Sequence, residues 1–133
     1  MDKNIIGIGD IMDFLFDNLI AHRGFHNLEK NIPENSIKAF KEAIKNNYVI
    51  ELDIHRTKDN KLVVFHDYNL KRVCGIDKTI ESCTYKELSK LYLFNTSSKI
   101  PLFSEVLSQK PKCIFSKSSG DIAVLVSGGF FDL

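Results

Sequence analysis

The chain has 133 residues, 44% hydrophobic and 26% charged, a balance that suits a globular fold and argues against extended disorder. Its net charge of +1 supplies no field to steer nucleic acid or an anionic membrane. Three cysteines, Cys74, Cys83 and Cys113, are odd in number and form no C-x-x-C pair, which fits reduced thiols of a cytoplasmic protein and not a disulfide frame or a zinc site.

Residues 1–16 read as an N-terminal extension. The apolar stretches from Ile5 to Ile8 and from Ile11 to Leu19 are broken by Asp10, Asp13 and Asp17 and follow no basic segment, so neither a secretory signal nor stable membrane insertion is expected. From Asn18 to Ala21 the chain reads as a short buried strand, with His22-Arg23-Gly24 at its C-terminal end. Pro33-Glu34-Asn35-Ser36 has the character of a helix start, and Ile37, Phe40 and Ile44 then fall on one face of a helix of about ten residues. Lys38, Lys41 and Lys45 lie along its polar side and read as a solvated face.

The next apolar run, Tyr48 to Ile54, carries Glu51 and Asp53 two residues apart. Side chains alternate along a strand, so both carboxylates point to one face while Ile50, Leu52 and Ile54 point to the other. Paired acids on a buried strand repel each other and resist desolvation, and their oxygens suit a hard divalent cation such as Mg²⁺ or Ca²⁺. An exposed edge strand with its acids in water is the plainer alternative. Strand, helix, strand is the pattern of a parallel βαβ unit.

Lys61 to Phe65 forms a third apolar run ending in His66-Asp67, joined to the second by a link too short for a crossover helix. If the three strands run parallel, His22, Arg23, Glu51, Asp53 and His66 gather at their C-terminal ends, where α/β barrels build active sites. Two histidines can exchange protons near neutral pH, an arginine fork can hold phosphate oxygens, and a carboxylate-bound cation can neutralise phosphate charge. His55 falls past the expected strand end and reads as loop or rim, and His26 has no such context. Asp67 is placed to orient His66 or support its loop, and Arg72 reads as a surface residue. Thr84 to Glu87 is a capping box for a helix running to about Leu93, with Leu88, Leu91 and Tyr92 as its buried stripe.

At these residues the chain resembles the glycerophosphodiester phosphodiesterase family. The matching blocks are Leu19 to Gly24 (LIAHRG), Ile32 to Ala43 (IPENSIKAFKEA), Glu51 to Asp53 (ELD), Val63 to Leu70 (VVFHDYNL), Thr84 to Leu91 (TYKELSKL) and Ile100 to Leu107 (IPLFSEVL), in order. The resemblance implies a TIM-type (β/α) barrel that hydrolyses glycerophosphodiesters to glycerol 3-phosphate and an alcohol with a divalent cation. Carried over by position, His22 and His66 are the acid/base pair, Arg23 clamps phosphate, and Glu51 and Asp53 are metal ligands. Glu34, Asn35 and Asp67 support the site.

Two features depart from that pattern. The family's third metal ligand, a glutamate on the strand after the IPLFSEVL block, has no counterpart, since residues 110–120 contain no acid before Asp121. The expected domain spans residues 17–133, of which 110–133 do not match the family, and only the first three to four strand units of a barrel of roughly 200 residues or more are present. A truncated and inactive remnant is therefore the alternative to an active enzyme that draws a third ligand from Asp121, water or a partner chain. The open strand edges of a partial barrel invite self-association. A phospholipase-type barrel phosphodiesterase also uses paired histidines, and the PENS block argues against it. Ile122 to Val126 reads as one further strand ended by Gly128-Gly129.

Overall fold

In the computed structural model the described residues are 19–111, together with the backbone of 113–117, 122–126 and 129–132; the N-terminal extension lies outside them. The ladder begins with β1 (Ile20–His22), and the helix α1 (Ile37–Lys45) then leads to β2 (Val49–Arg56). β1 and β2 pair in parallel, with Ile20 opposite Val49 and His22 opposite Glu51. This is the expected βαβ unit, and it sets His22 level with the first carboxylate. β1 is not the buried strand expected over Asn18–Ala21, however, since it takes in His22 and only Ala21 is buried, with Leu19 and Ile20 exposed and Asn18 outside the described residues.

α1 starts where it does because Ser36 caps it. The Ser36 Oγ accepts the Ala39 N–H at 3.1 Å and donates to the Pro33 carbonyl at 2.7 Å, so a fully buried hydroxyl is satisfied twice. Phe40, Ala39 and Ala43 are completely buried, while Ile37 and Ile44 flank them and pack against the same core. On β2 the side chains of Ile50, Leu52 and Ile54 enter that core, where they meet Phe40, Phe103 and Val106. Glu51 and Asp53 are left on the opposite face, partly buried.

The third apolar run is not a parallel strand. β3 (Leu62–Val64) folds back as a hairpin and pairs antiparallel with the end of β2, with Ile54 opposite Val64 and Arg56 opposite Leu62. The link of Thr57 to Lys61 is a tight turn in which Thr57 Oγ1 donates to Asp59 at 2.6 Å and accepts the Lys61 N–H at 2.9 Å. A turn that short reverses the chain and cannot carry a crossover. The same pairing extends β2 to Arg56, so His55 belongs to the strand and is buried, not part of a loop or rim.

After β3 come the short helices α2 (Lys71–Cys74) and α3 (Tyr85–Leu88), then α4 (Phe103–Ser108). The segment from β3 to Ile100 forms a second core of Val63, Phe65, Leu70, Ile80, Leu88, Leu93 and Ile100, while α4 packs on the first through Phe103 and Val106. Thr84 caps α3 by accepting the Glu87 N–H at 3.3 Å, yet the helix stops at Leu88 and not near Leu93. Leu88 and Leu93 are both buried in this core, and on one helix they would sit about 140° apart. The chain unwinds to bury both, and the expected stripe fails at Tyr92, which is half exposed.

β4 (Cys113–Lys117) returns to the sheet parallel to β2, with Ile114 opposite Glu51 and Ser116 opposite Asp53. β1, β2 and β4 are thus three parallel strands joined by helical crossovers, a partial TIM-type (β/α) barrel. β5 (Ile122–Val126) covers the run expected as a strand, and β6 (Gly129–Asp132) follows it; both continue the sheet by antiparallel pairing, unlike the strands of a closed (β/α) barrel. Cys74 and Cys83 are free thiols, and burial pushes the Cys74 thiol up to about 11. Among the described residues no helix is long and apolar enough to cross a membrane.

Candidate active site

The turn after β1 brings the first site residues into position. Arg23 adopts a left-handed backbone, φ 57°, which a non-glycine residue holds only where its surroundings enforce it. Here two backbone bonds do so: Arg23 N–H donates to the Glu51 carbonyl at 2.7 Å, and the Arg23 carbonyl accepts the Asn35 N–H at 2.9 Å. Asn35 is left-handed too, φ 52°. The LIAHRG turn, the PENS turn and the paired carboxylates are therefore stitched together through the main chain. Gly24 lets this happen, because a Cβ there would come within 2.8 Å of Ala39 Cβ and 3.0 Å of the Ala39 backbone carbon.

Glu51 and Asp53 share one face of β2, and His22 Nε2 lies 3.4 Å from Glu51 Oε2. Burial first, and the neighbouring Asp53 charge second, push the Glu51 carboxyl above its ordinary range against the opposing pull of His22 and Arg23. Its Oε2 is buried and accepts no hydrogen bond among the described residues. Such an oxygen, with the His22 ring 3.4 Å away and no hydrogen bond to it, is open to a bound cation. Carboxylate oxygens are the ligands that hard divalent cations take, so this pair could hold such an ion. Among the described residues no group of three or more His, Cys, Asp or Glu side chains is assembled for a metal, and β4 offers no acid between Cys113 and Lys117.

A second constellation runs beside the first. Arg23 Nη1 donates to Glu34 Oε2 at 3.1 Å, and Arg72 donates to both Glu34 oxygens at 2.8 and 3.0 Å. Arg72 also donates twice to Asp67, at 2.9 and 3.1 Å. Asp67 Oδ1 in turn lies 2.7 Å from His66 Nδ1. The line from Arg23 to His66 is therefore continuous. Burial would raise the Glu34 carboxyl, but hydrogen bonds and charge from Arg72, and then Arg23, outweigh it and hold the group low. Asp67 is held down at about 2, first by its hydrogen bonds to Arg72, which outweigh the opposing effect of burial, and then by His66.

His66 is fixed from its backbone side as well. His55 Nε2 lies 3.0 Å from the His66 carbonyl oxygen, and the His55 ring meets Tyr68 edge-on at 5.1 Å. Phe65 N–H donates to the Asp53 carbonyl at 3.0 Å, which ties the HD turn to the strand that bears the carboxylates. The antiparallel β3 thus delivers His66 beside β2 although it does not run parallel to it. His55 is buried on β2 and not on a rim, while Arg72 is exposed, as expected of a surface residue, yet engaged on two sides. Arg72 is a bridge and not a free surface cation, and only its spacing of five from Asp67 hinted at that.

Besides Glu51 Oε2, the buried polar atoms without a hydrogen-bond partner among the described residues include Arg23 Nε, both amide atoms of Asn35, and His55 Nδ1. Leaving a buried polar atom unmatched costs about 1–3 kcal/mol. Arg23 and Asn35 are joined by a backbone bond, and the Arg23 N–H is bonded to the Glu51 carbonyl, so these groups lie together.

The model of the glycerophosphoryl diester phosphodiesterase family matches residues 22–120, which includes the start of the segment beyond Gln109. The chain is similar to a glycerophosphodiester phosphodiesterase of Bacillus altitudinis, 38% identical over 96 residues that cover 67% of this chain and 38% of that protein. Among solved structures it resembles a glycerophosphodiester phosphodiesterase from Agrobacterium tumefaciens, at 21% identity and a TM-score of 0.67, over 75% of this chain and 46% of that one; the likeness is one of fold. It also resembles an Oleispira antarctica phosphodiesterase solved with its product sn-glycerol-3-phosphate, at 26% identity and a TM-score of 0.66, over 76% and 44% of the two chains. The chain spans less than half the length of these relatives. Its own sequence, from the His22 turn to β4, belongs to the glycerophosphoryl diester phosphodiesterase family.

Proposed function

We propose that this chain carries the phosphate-handling half of a metal-dependent glycerophosphodiester hydrolase, releasing glycerol 3-phosphate and an alcohol. The observation that carries the reading is the half-buried Glu51–Asp53 pair, whose Glu51 Oε2 accepts no hydrogen bond, next to an arginine with a buried and unmatched Nε. Glu51 and Asp53 would hold Mg²⁺ or Ca²⁺, which when bound offsets the charge of the substrate phosphate. Arg23 holds a phosphate oxygen with the donors that Glu34 leaves free. His66, with Nδ1 engaged by Asp67, exchanges a proton at Nε2. His22, exposed at the end of β1, serves the opposite side of the reaction. One of the two takes a proton from the attacking oxygen and the other gives one to the departing alkoxide.

The reduced thiols Cys74 and Cys83 fit a cytoplasmic enzyme of lipid and glycerol metabolism. β1 pairs with β2 on one side and exposes Leu19 and Ile20, which favours self-association along that edge. The test is hydrolysis of glycerophosphocholine by the purified chain with Mg²⁺ or Ca²⁺, then with chelator, beside His22→Ala and His66→Ala. Metal-dependent release of glycerol 3-phosphate, lowered about 10²- to 10⁴-fold in each variant, is the expected result. A second reading, a chain that keeps the family's fingerprint without its turnover, rests on β4, where Ile114 and Ser116 stand opposite the two acids. A folded chain with no turnover in either metal would select it.

A further inference from the structure

Arg72 has no part in the reaction described above, yet its guanidinium commits four of its five N–H donors. Nε and Nη2 reach the two oxygens of Asp67, and Nη1 and Nη2 reach the two oxygens of Glu34. The planar group also lies over the ring of Phe94, 5.7 Å from its centroid. Phe94 holds a left-handed backbone, φ 49°, uncommon for an aromatic residue. Each carboxylate that Arg72 grips has one further partner: Asp67 takes His66 Nδ1 at 2.7 Å, and Glu34 takes Arg23 Nη1 at 3.1 Å.

We propose that Arg72 is a positioning residue that locks Glu34 and Asp67 to each other, so that one carboxylate aims the Arg23 fork and the other holds His66 with Nδ1 protonated and Nε2 open. The four charged groups, Arg23, Arg72, Glu34 and Asp67, sum to zero. Without Arg72, two carboxylates would face a site that must accept a phosphate anion. Lysine cannot replace it, because a single ammonium cannot make two paired contacts in one plane. Phe94 supplies the floor that keeps the plane in place. This inference deepens the phosphodiesterase reading and rests on it for its significance in catalysis.

The experiment reads the His66 ring directly. Nitrogen-15 shifts of the histidine rings are recorded on the full chain at a pH where His66 is neutral, with His66→Gln used for assignment. The wild type should show His66 protonated at Nδ1. Arg72→Lys and Arg72→Gln should both shift it to a mixture of tautomers, and Phe94→Leu should shift it part of the way. An Nε2-protonated His66 in the wild type, or an Nδ1–H form that survives in folded Arg72→Lys, overturns the proposal. If Arg72→Gln does not fold, the wild-type tautomer, Arg72→Lys and Phe94→Leu still decide. Where the chain turns over substrate, Arg72→Lys should lower kcat about tenfold or more, as loss of an outer partner commonly does, with a smaller change in KM. Absence of turnover would count against the proposed function alone and leave the tautomer result standing.

Discussion

Arg72 and Glu34 stand 38 positions apart in sequence and meet through two hydrogen bonds of 2.8 and 3.0 Å. That contact joins the helix after the HD turn to the loop that opens α1. Through it, the phosphate-facing arginine and the histidine of the HD turn become parts of one rigid assembly. Its energetic signature should be visible without any substrate.

The first consequence concerns acid. Asp67 is held at about 2, mainly by Arg72, and Glu34 is also lowered, by Arg72 and Arg23 against its burial. A carboxyl lowered in the folded state contributes stability that is fully present above its unfolded value and is lost as pH falls through its folded one. The unfolding free energy should therefore drop between about pH 4 and pH 2. Arg72→Gln should flatten that limb of the stability profile measured by urea denaturation.

Glu51 carries the opposite sign. Burial and Asp53 raise its pKa, so ionising it costs stability as pH rises through the range where it loses its proton. Glu51→Gln should leave the metal-free chain as stable as the wild type or more stable by up to about 1 kcal/mol. A loss of more than about 1 kcal/mol in chelator would mean that Glu51 is held by contacts that favour its charge.

Gly24→Ala tests the packing of the turn on α1. An added Cβ would press into the Ala39 side chain and backbone at 2.8 and 3.0 Å, from a residue with φ 81°. Overpacking and backbone strain together should cost about 2 kcal/mol or more, read as a lower denaturation midpoint.

Ser36→Ala removes the cap of α1 and leaves the Ala39 N–H without its acceptor. The expected loss is about 1–2 kcal/mol. Ser36→Asp should not restore it fully, because the hydroxyl also donates to the Pro33 carbonyl and a carboxylate cannot.

Much of this was legible in local sequence. The alternation around Glu51 and Asp53 fixed which face of β2 they occupy, and the spacing of Ile37, Phe40 and Ile44 together with Ser36 located α1. What escaped was decided by distant partners. The direction of β3 depends on a turn closed by Thr57 and Asp59, and its pairing is what lengthens β2 and buries His55. Arg72 looks like any surface arginine until the fold brings Glu34 to it. α3 ends early because Leu88 and Leu93 compete for the same core, and no local helix signal records that competition.

The proposed chemistry depends on Glu51 and Asp53 holding a hard cation between them. Calorimetric titration of Mg²⁺ and of Ca²⁺ into the chain, beside Glu51→Gln and Asp53→Asn, tests it most directly. One saturable site for at least one ion, weakened about tenfold or more in each variant, is the predicted result. Binding that is absent from the folded wild type, or equal in all three proteins, would contradict it.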